Sequence, residues 1–143
     1  MPRMLKIVAA CALVLLFSGC ATVYRGYSGP ALEKGKYVLL KRVNAVLVNS
    51  IDGVDISNHW GTDFRGYCTY ELLPGPHTIK AMYSWTWTGG GYIHTQTGDI
   101  MDVTFIAEAG HEYLLRADFP EKDKWVLFVD DATEKQKIKD AVK

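Results

Sequence analysis

No apolar run in this chain is long enough to cross a bilayer as a helix, which takes roughly 20 residues. The longest, Ile7 to Phe17, stops well short of that. Neither sign of charge is in excess: 16 Lys and Arg stand against 16 Asp and Glu. The lysines are scattered, with one cluster at the C-terminus, so the basic footprint of a nucleic-acid partner is missing and none is expected. Enzymatic motifs are missing too. His111-Glu112 opens like a zinc-binding helix motif, but the residue four places after His111 is Leu115 and the segment alternates as a strand. Gly89-Gly90-Gly91 has no following lysine or helix start, as a phosphate loop requires. Gly26-Tyr27-Ser28-Gly29 lacks the spacing and strand–turn–helix setting of a nucleophile elbow. The expectation is a protein that is not an enzyme, with no catalytic residue, metal or cofactor to name.

Cysteine is scarce, and what it excludes depends on the first twenty residues. Arg3 and Lys6 form a short basic start, the apolar run follows, and Ser18 and Gly19 lead directly into Cys20. That order fits a secretory signal rather than a membrane span. Ser18-Gly19-Cys20 resembles the lipobox of bacterial lipoproteins, in which a Leu, two small residues and a Cys are read together. Phe17 stands where that motif prefers Leu, with Leu16 one place earlier. The resemblance implies cleavage between Gly19 and Cys20, a diacylglyceryl group on the Cys20 sulfur and acylation of the new amine. Each buried methylene contributes about 0.8 kcal/mol, so two or more chains hold a protein firmly to a membrane. In Gram-negative lipoproteins an Asp after the cysteine commonly signals inner-membrane retention. By the same resemblance Ala21 favours the periplasmic face of the outer membrane.

Cys11 would leave with the signal and Cys20 would be taken by lipid. Only Cys68 would remain, so no intramolecular disulfide is available to the mature domain. Cys68 alternates to the same face as Tyr70 and Leu72 and reads as a buried thiol behaving as a small hydrophobe.

The organisation that follows is a signal over residues 1–19, a lipidated N-terminus and tether over 20–35, and one domain over 36–143. Within the tether, Tyr27 to Leu32 is expected to lie down on the domain. Tyr37 to Leu40 and Val43 to Ile51 are β-branched and apolar, and the second run is apolar on both faces, as in a covered central strand. Asp52-Gly53 supplies a turn, and His59 to Arg65 reads as a loop. Tyr67 to Leu73 forms the next strand, ended by Pro74-Gly75-Pro76. His77 to Thr88 alternates, with Ile79, Ala81, Tyr83, Trp85 and Trp87 on one face. The triple glycine breaks it, and Tyr92 to Thr97 returns as a hairpin partner. Met101 to Ala107, Tyr113 to Ala117 and Trp125 to Val129 repeat the alternation. The tail from Asp131 has capping-box spacing to Glu134 and a narrow stripe of Ile138, Ala141 and Val142. The fold class expected is mainly β, an antiparallel β-sandwich of about seven to eight short strands with a short C-terminal helix.

Ile51-Asp52-Gly53 together with Leu72-Leu73-Pro74-Gly75-Pro76-His77-Thr78-Ile79 resembles PEGA-like and related transthyretin-like β-sandwich modules. Tyr27-Ser28-Gly29-Pro30 after Cys20, and Gly110 followed by Tyr113, are similar to a group of small bacterial envelope lipoproteins. The resemblance implies a fold and a place in the envelope, and it transfers no active site. It points to a lipid-anchored, non-catalytic binding or structural module.

Two constellations are candidate sites. Trp85, Trp87 and Tyr92 flank the triple glycine. The plainer expectation is that this stripe continues the core; the sharper one is a flat aromatic platform that stacks on a glycan or an envelope protein. His59, His77, His94 and His111 recur at nearly even intervals, and a meander that gathered them at one end would make a metal or small-ligand site. The plainer reading is that His77 and His111 each follow a turn and bond to local backbone.

Overall fold

The computed structural model describes residues 23–43, 45–57, 69–121 and 124–141. Within them lie β1 (Val23–Arg25), β2 (Val38–Arg42), β3 (Val46–Ile51), β4 (Val54–Asp55), β5 (Thr69–Leu72), β6 (Gly75–Gly89), β7 (Tyr92–Thr97), β8 (Met101–Ala107), β9 (Glu112–Glu121), β10 (Lys124–Asp131) and α1 (Ala132–Ala141). Two five-stranded sheets form a mainly-β, sandwich-like fold. The first has the order β1-β5-β2-β9-β10; the second runs β4-β3-β6, with β7 and β8 both paired to β6. The strand count among the described residues is ten, above the seven to eight expected. The pairing is also mixed: β1 runs parallel to β5, and β2 parallel to β9.

The core follows from alternation. Val38, Leu40, Tyr70, Leu72, Tyr113, Leu115 and Leu127 point inward from the first sheet, and Val46, Val48, Ile51, Ile79, Ala81 and Ala107 meet them from the second. Leu47, on the opposite face of β3, is buried as well, so β3 is buried on both faces over Val46 to Val48, as a run apolar on both faces predicts. Asp52 and Gly53 both have positive φ (50° and 80°), as do Gly90 and Gly91 (59° and 81°). Two-residue loops with positive φ at both positions match strand twist, and they make β3–β4 and β6–β7 tight hairpins.

β6 is the longest strand and organises its sheet. On one edge it pairs with β3 up to Tyr83, closed by Ser84 N–H donating to Ala45 O at 2.8 Å. On the other edge it pairs with β8 over Gly75 to Ala81 and with β7 over Ser84 to Gly89. The strand opens at Gly75, inside the segment expected to separate two strands. Pro76 lies opposite Ile106, and the turn shrinks to Leu73-Pro74.

The tether expected over 20–35 is shorter than its composition suggested. Val23 to Arg25 is an edge strand, and Gly26 N–H continues the ladder to Glu71 O at 2.8 Å. The Tyr24 ring lies tilted against Tyr70, with centroids 6.0 Å apart, and Arg25 and the Tyr27 hydroxyl both reach the Glu71 carboxylate. Leu32 N–H donates to the same Tyr27 hydroxyl, so the two ends of Tyr27 to Leu32 are tied to the domain through Glu71 while Ser28 to Ala31 stay exposed. At the other terminus Asp131 Oδ1 accepts the Glu134 N–H at 2.9 Å and caps α1, as the spacing predicts.

The sandwich has two ends. At one lie the Asp52 hairpin, the start of β6, the start of β9 and α1. At the other lie the start of β1, the end of β2 and the far halves of β6 and β9. Val23 and Lys41 both register with Thr69, and Lys41 with Leu114, so β9 runs on beyond the level of Val23.

Candidate functional site

The face of β6 that carries the core does not stay buried. Ile79 and Ala81 are fully buried, Tyr83 is half-buried, and Trp85 and Trp87 are 50% and 43% exposed. The core reading of this stripe therefore holds only as far as Ala81. Beyond Ser84 the β3 edge of β6 has no strand partner among the described residues, and β6 continues with β7 alone as a projecting two-stranded ribbon.

The glycine turn sets the ribbon's register. Gly89 lies opposite Tyr92, Trp87 opposite His94 and Trp85 opposite Gln96, so all these side chains share one face. Trp87 and His94 stack, with centroids 5.2 Å apart and planes 17° apart. The opposite face carries Thr86 and Thr95, whose hydroxyls are 3.1 Å apart, with Ser84, Thr88 and Thr97 alongside. Tyr92 and Ile93 at the tip are 74% and 76% exposed. The ribbon is thus two-sided, aromatic on one face and hydroxyl-rich on the other.

The β9–β10 hairpin stands opposite. Phe119 meets Tyr83 edge-on at 4.9 Å, and Trp125 lies 6.3 Å from the same ring. Two clefts open on either side of this contact. One, of about 390 Å³, is lined by Val43, Ala45, Trp85, Arg116, Phe119 and Phe128 among others. The second, of about 380 Å³, lies between Gln96 to Asp99 and Trp125. Arg116 is held in place: its guanidinium lies 4.8 Å over the Phe128 ring and its Nε lies 3.1 Å from Asp130, which also pairs with Lys135.

Of the three described histidines, His77 and His111 lie at one end of the sandwich and His94 at the other. His77 starts β6 and His94 lies near the far end of the same hairpin, so one continuous strand separates them. His77 Nδ1 is 2.6 Å from Asp52 Oδ2 and its Nε2 is 2.6 Å from Leu73 O, which occupies both ring nitrogens. His111 Nδ1 is 2.7 Å from Asp131 Oδ2. Burial works to raise the Asp131 carboxyl, but the hydrogen bonds from His111 and from the Glu134 amide outweigh it and hold the group below its usual value. Burial likewise raises the Tyr113 hydroxyl, which accepts the Glu108 N–H and feels the Asp131 charge. Among the described residues no group of three or more His, Cys, Asp or Glu is arranged to hold a metal. His59, Cys68, Gly19 and Cys20 lie outside the described residues. No helix among the described residues is long and apolar enough to cross a membrane.

His94, Ile93 and Phe119 belong to the aromatic end and were not singled out as platform residues from sequence. Counting back from a two-residue Gly90-Gly91 loop would have placed His94 opposite Trp87. Nothing local announces Phe119, whose position comes from the other sheet. Fold and surface together define a two-sheet β-sandwich with a projecting aromatic ribbon. No family model, curated protein or solved structure matches the chain.

Proposed function

We propose that the chain is a lipid-anchored bacterial envelope lipoprotein, on the periplasmic face of the outer membrane. Its role there is that of a non-catalytic module making contacts through the aromatic ribbon. The anchor reading is supported by the basic start, the short apolar run and Ser18-Gly19-Cys20. The contact reading is carried by one observation: Trp85 and Trp87 stand half-exposed on a strand whose earlier residues on the same face are core. Large rings exposed beyond the end of the core offer contact area at low entropic cost.

The test is fractionation of the native host or a Gram-negative expression host, with intact-mass analysis of the mature protein. The expected result is a chain starting at Cys20, heavier by its acyl groups, in the membrane fraction. Cys20→Ala should remove the acyl mass and release the protein from that fraction. A wild-type chain with no acyl mass would overturn the anchor.

A further inference from the structure

We propose that the occupant of the aromatic ribbon is the interfacial layer of the lipid bilayer itself, so that the domain is held to the membrane at a second point besides Cys20. This rests on the lipid-anchored reading above. Its first support is the length of chain involved. Cys20 precedes Val23 by three residues, which bounds their separation at roughly 11 Å even if fully extended. Val23 is fixed in the sheet by its pairing with Thr69. An acylated Cys20 therefore draws the Val23 end of the sandwich against the membrane surface.

The ribbon projects from that same end. Val23 and Lys41 are level with each other through Thr69, and Ser84 is bonded to Ala45, just past the end of β2. Everything from Trp85 to Gln96 lies beyond that level. The five steps from Ser84 to Gly89 extend roughly 17 Å at about 3.3 Å each, a reach comparable with that of the anchor segment.

All four large exposed aromatic rings of the described residues gather there too, whereas Val54, Leu73 and Ile106, exposed at the other end, are aliphatic. Trp85, Trp87, Tyr92, Ile93 and Phe119 all belong to this end, along with Val23. Their chemistry suits a headgroup layer, where the amphipathic rings of Trp and Tyr concentrate. The opposite face, Thr86, Thr88, Thr95 and Thr97 with Ile93 only at its tip, gives the ribbon a largely hydroxyl-lined wet side, as in an amphipathic helix lying in an interface. The open strand edges limit the depth: unpaired backbone groups are not tolerated in hydrocarbon, so the ribbon stays within the polar layer. A glycan or protein would have to reach the same face through the space between domain and bilayer.

The experiment uses the acylated full mature protein in vesicles of phosphatidylethanolamine and phosphatidylglycerol, with and without bromine on the lipid chains near the headgroup. Flotation and intact mass report the anchor, and tryptophan emission reports the ribbon. Emission of the wild type is expected to fall by roughly half in brominated vesicles, since two of the four tryptophans lie at the quencher's depth. Trp85→Phe combined with Trp87→Phe should float equally and lose most of that quenching. Both changes are at exposed positions, so folding is preserved. Protein that floats but is not quenched overturns the ribbon contact and leaves the anchor standing. Ribbon tryptophans shielded from acrylamide only when peptidoglycan fragments or an envelope protein is added would also overturn it. Protein that neither floats nor carries acyl mass overturns both readings.

Discussion

Trp87 and His94 face each other across β6 and β7 as nearly parallel rings. The pair sits where the ribbon has left the sandwich, and it helps hold together two strands that have no third beside them among the described residues. Isolated two-stranded hairpins are marginal in water, so cross-strand pairs such as this one, worth about 0.2–1 kcal/mol, decide whether the ribbon stays formed. His94→Ala is expected to speed hydrogen exchange at amides from Trp85 to Gln96 several-fold while leaving the global melting temperature within a degree or two. An equal loss of protection in β2 and β9 would show that the ribbon is not a separate unit.

Core and ribbon residues on the same face of β6 should respond very differently to truncation. Ile79→Ala empties a fully buried site and is expected to cost about 2–5 kcal/mol in urea unfolding. Trp85→Ala, at the half-exposed end of the same stripe, should cost about 1 kcal/mol or less. Similar costs at the two positions would contradict the burial gradient along this strand.

Gly98 joins β7 to β8, and its N–H donates to Tyr83 O at 2.8 Å. A Cβ there would run into the Trp125 indole, closest to Nε1 and with Cδ1 at 2.9 Å, inside contact distance. Gly98→Ala should therefore push Trp125 off the backbone and destabilise the domain by about 1–3 kcal/mol, with a change in near-ultraviolet circular dichroism. Trp125→Phe in the same chain should recover part of that loss, because the smaller ring leaves room.

Asp131 couples the α1 cap to His111. Its carboxyl is held below the usual value in the folded chain, so it binds a proton less readily folded than unfolded. The stability this contributes is present above the unfolded pKa, about 3.9, and is lost as pH falls through the lower folded value. Asp131→Ala should cost about 1–2 kcal/mol at neutral pH from loss of the cap. The gap between wild type and variant should close below about pH 4 in denaturation curves collected across the acid range. A constant gap down to pH 2 would mean that the carboxylate charge is not what matters.

Much of the fold was legible because its signals are local. Asp52-Gly53 and Gly90-Gly91 announce their turns, and alternation from His77 to Thr88 and from Met101 onward announces the strands. Alternation names a face without saying how far the opposing sheet extends, which is why Trp85 and Trp87 read as core. Parallel pairing was invisible for a related reason. Val23 with Thr69 and Leu39 with Glu112 are far apart in sequence, and no turn or pattern near either residue marks the partner. The even spacing of the histidines suggested convergence, but β6 runs unbroken between the His77 and His94 positions and carries them to opposite ends.

The parallel run of β1 beside β5 has a mechanical meaning. A pull on the chain ahead of Val23 acts along the strand, so the ladder bonds, the Gly26–Glu71 bond and the Arg25 and Tyr27 contacts to Glu71 are loaded together in shear. An antiparallel edge strand entering from the other side would be peeled away one bond at a time. The short β1 is thus a clasp: tension on the chain ahead of Val23 is shared across the whole strand, and the sandwich behind it need not open to bear it.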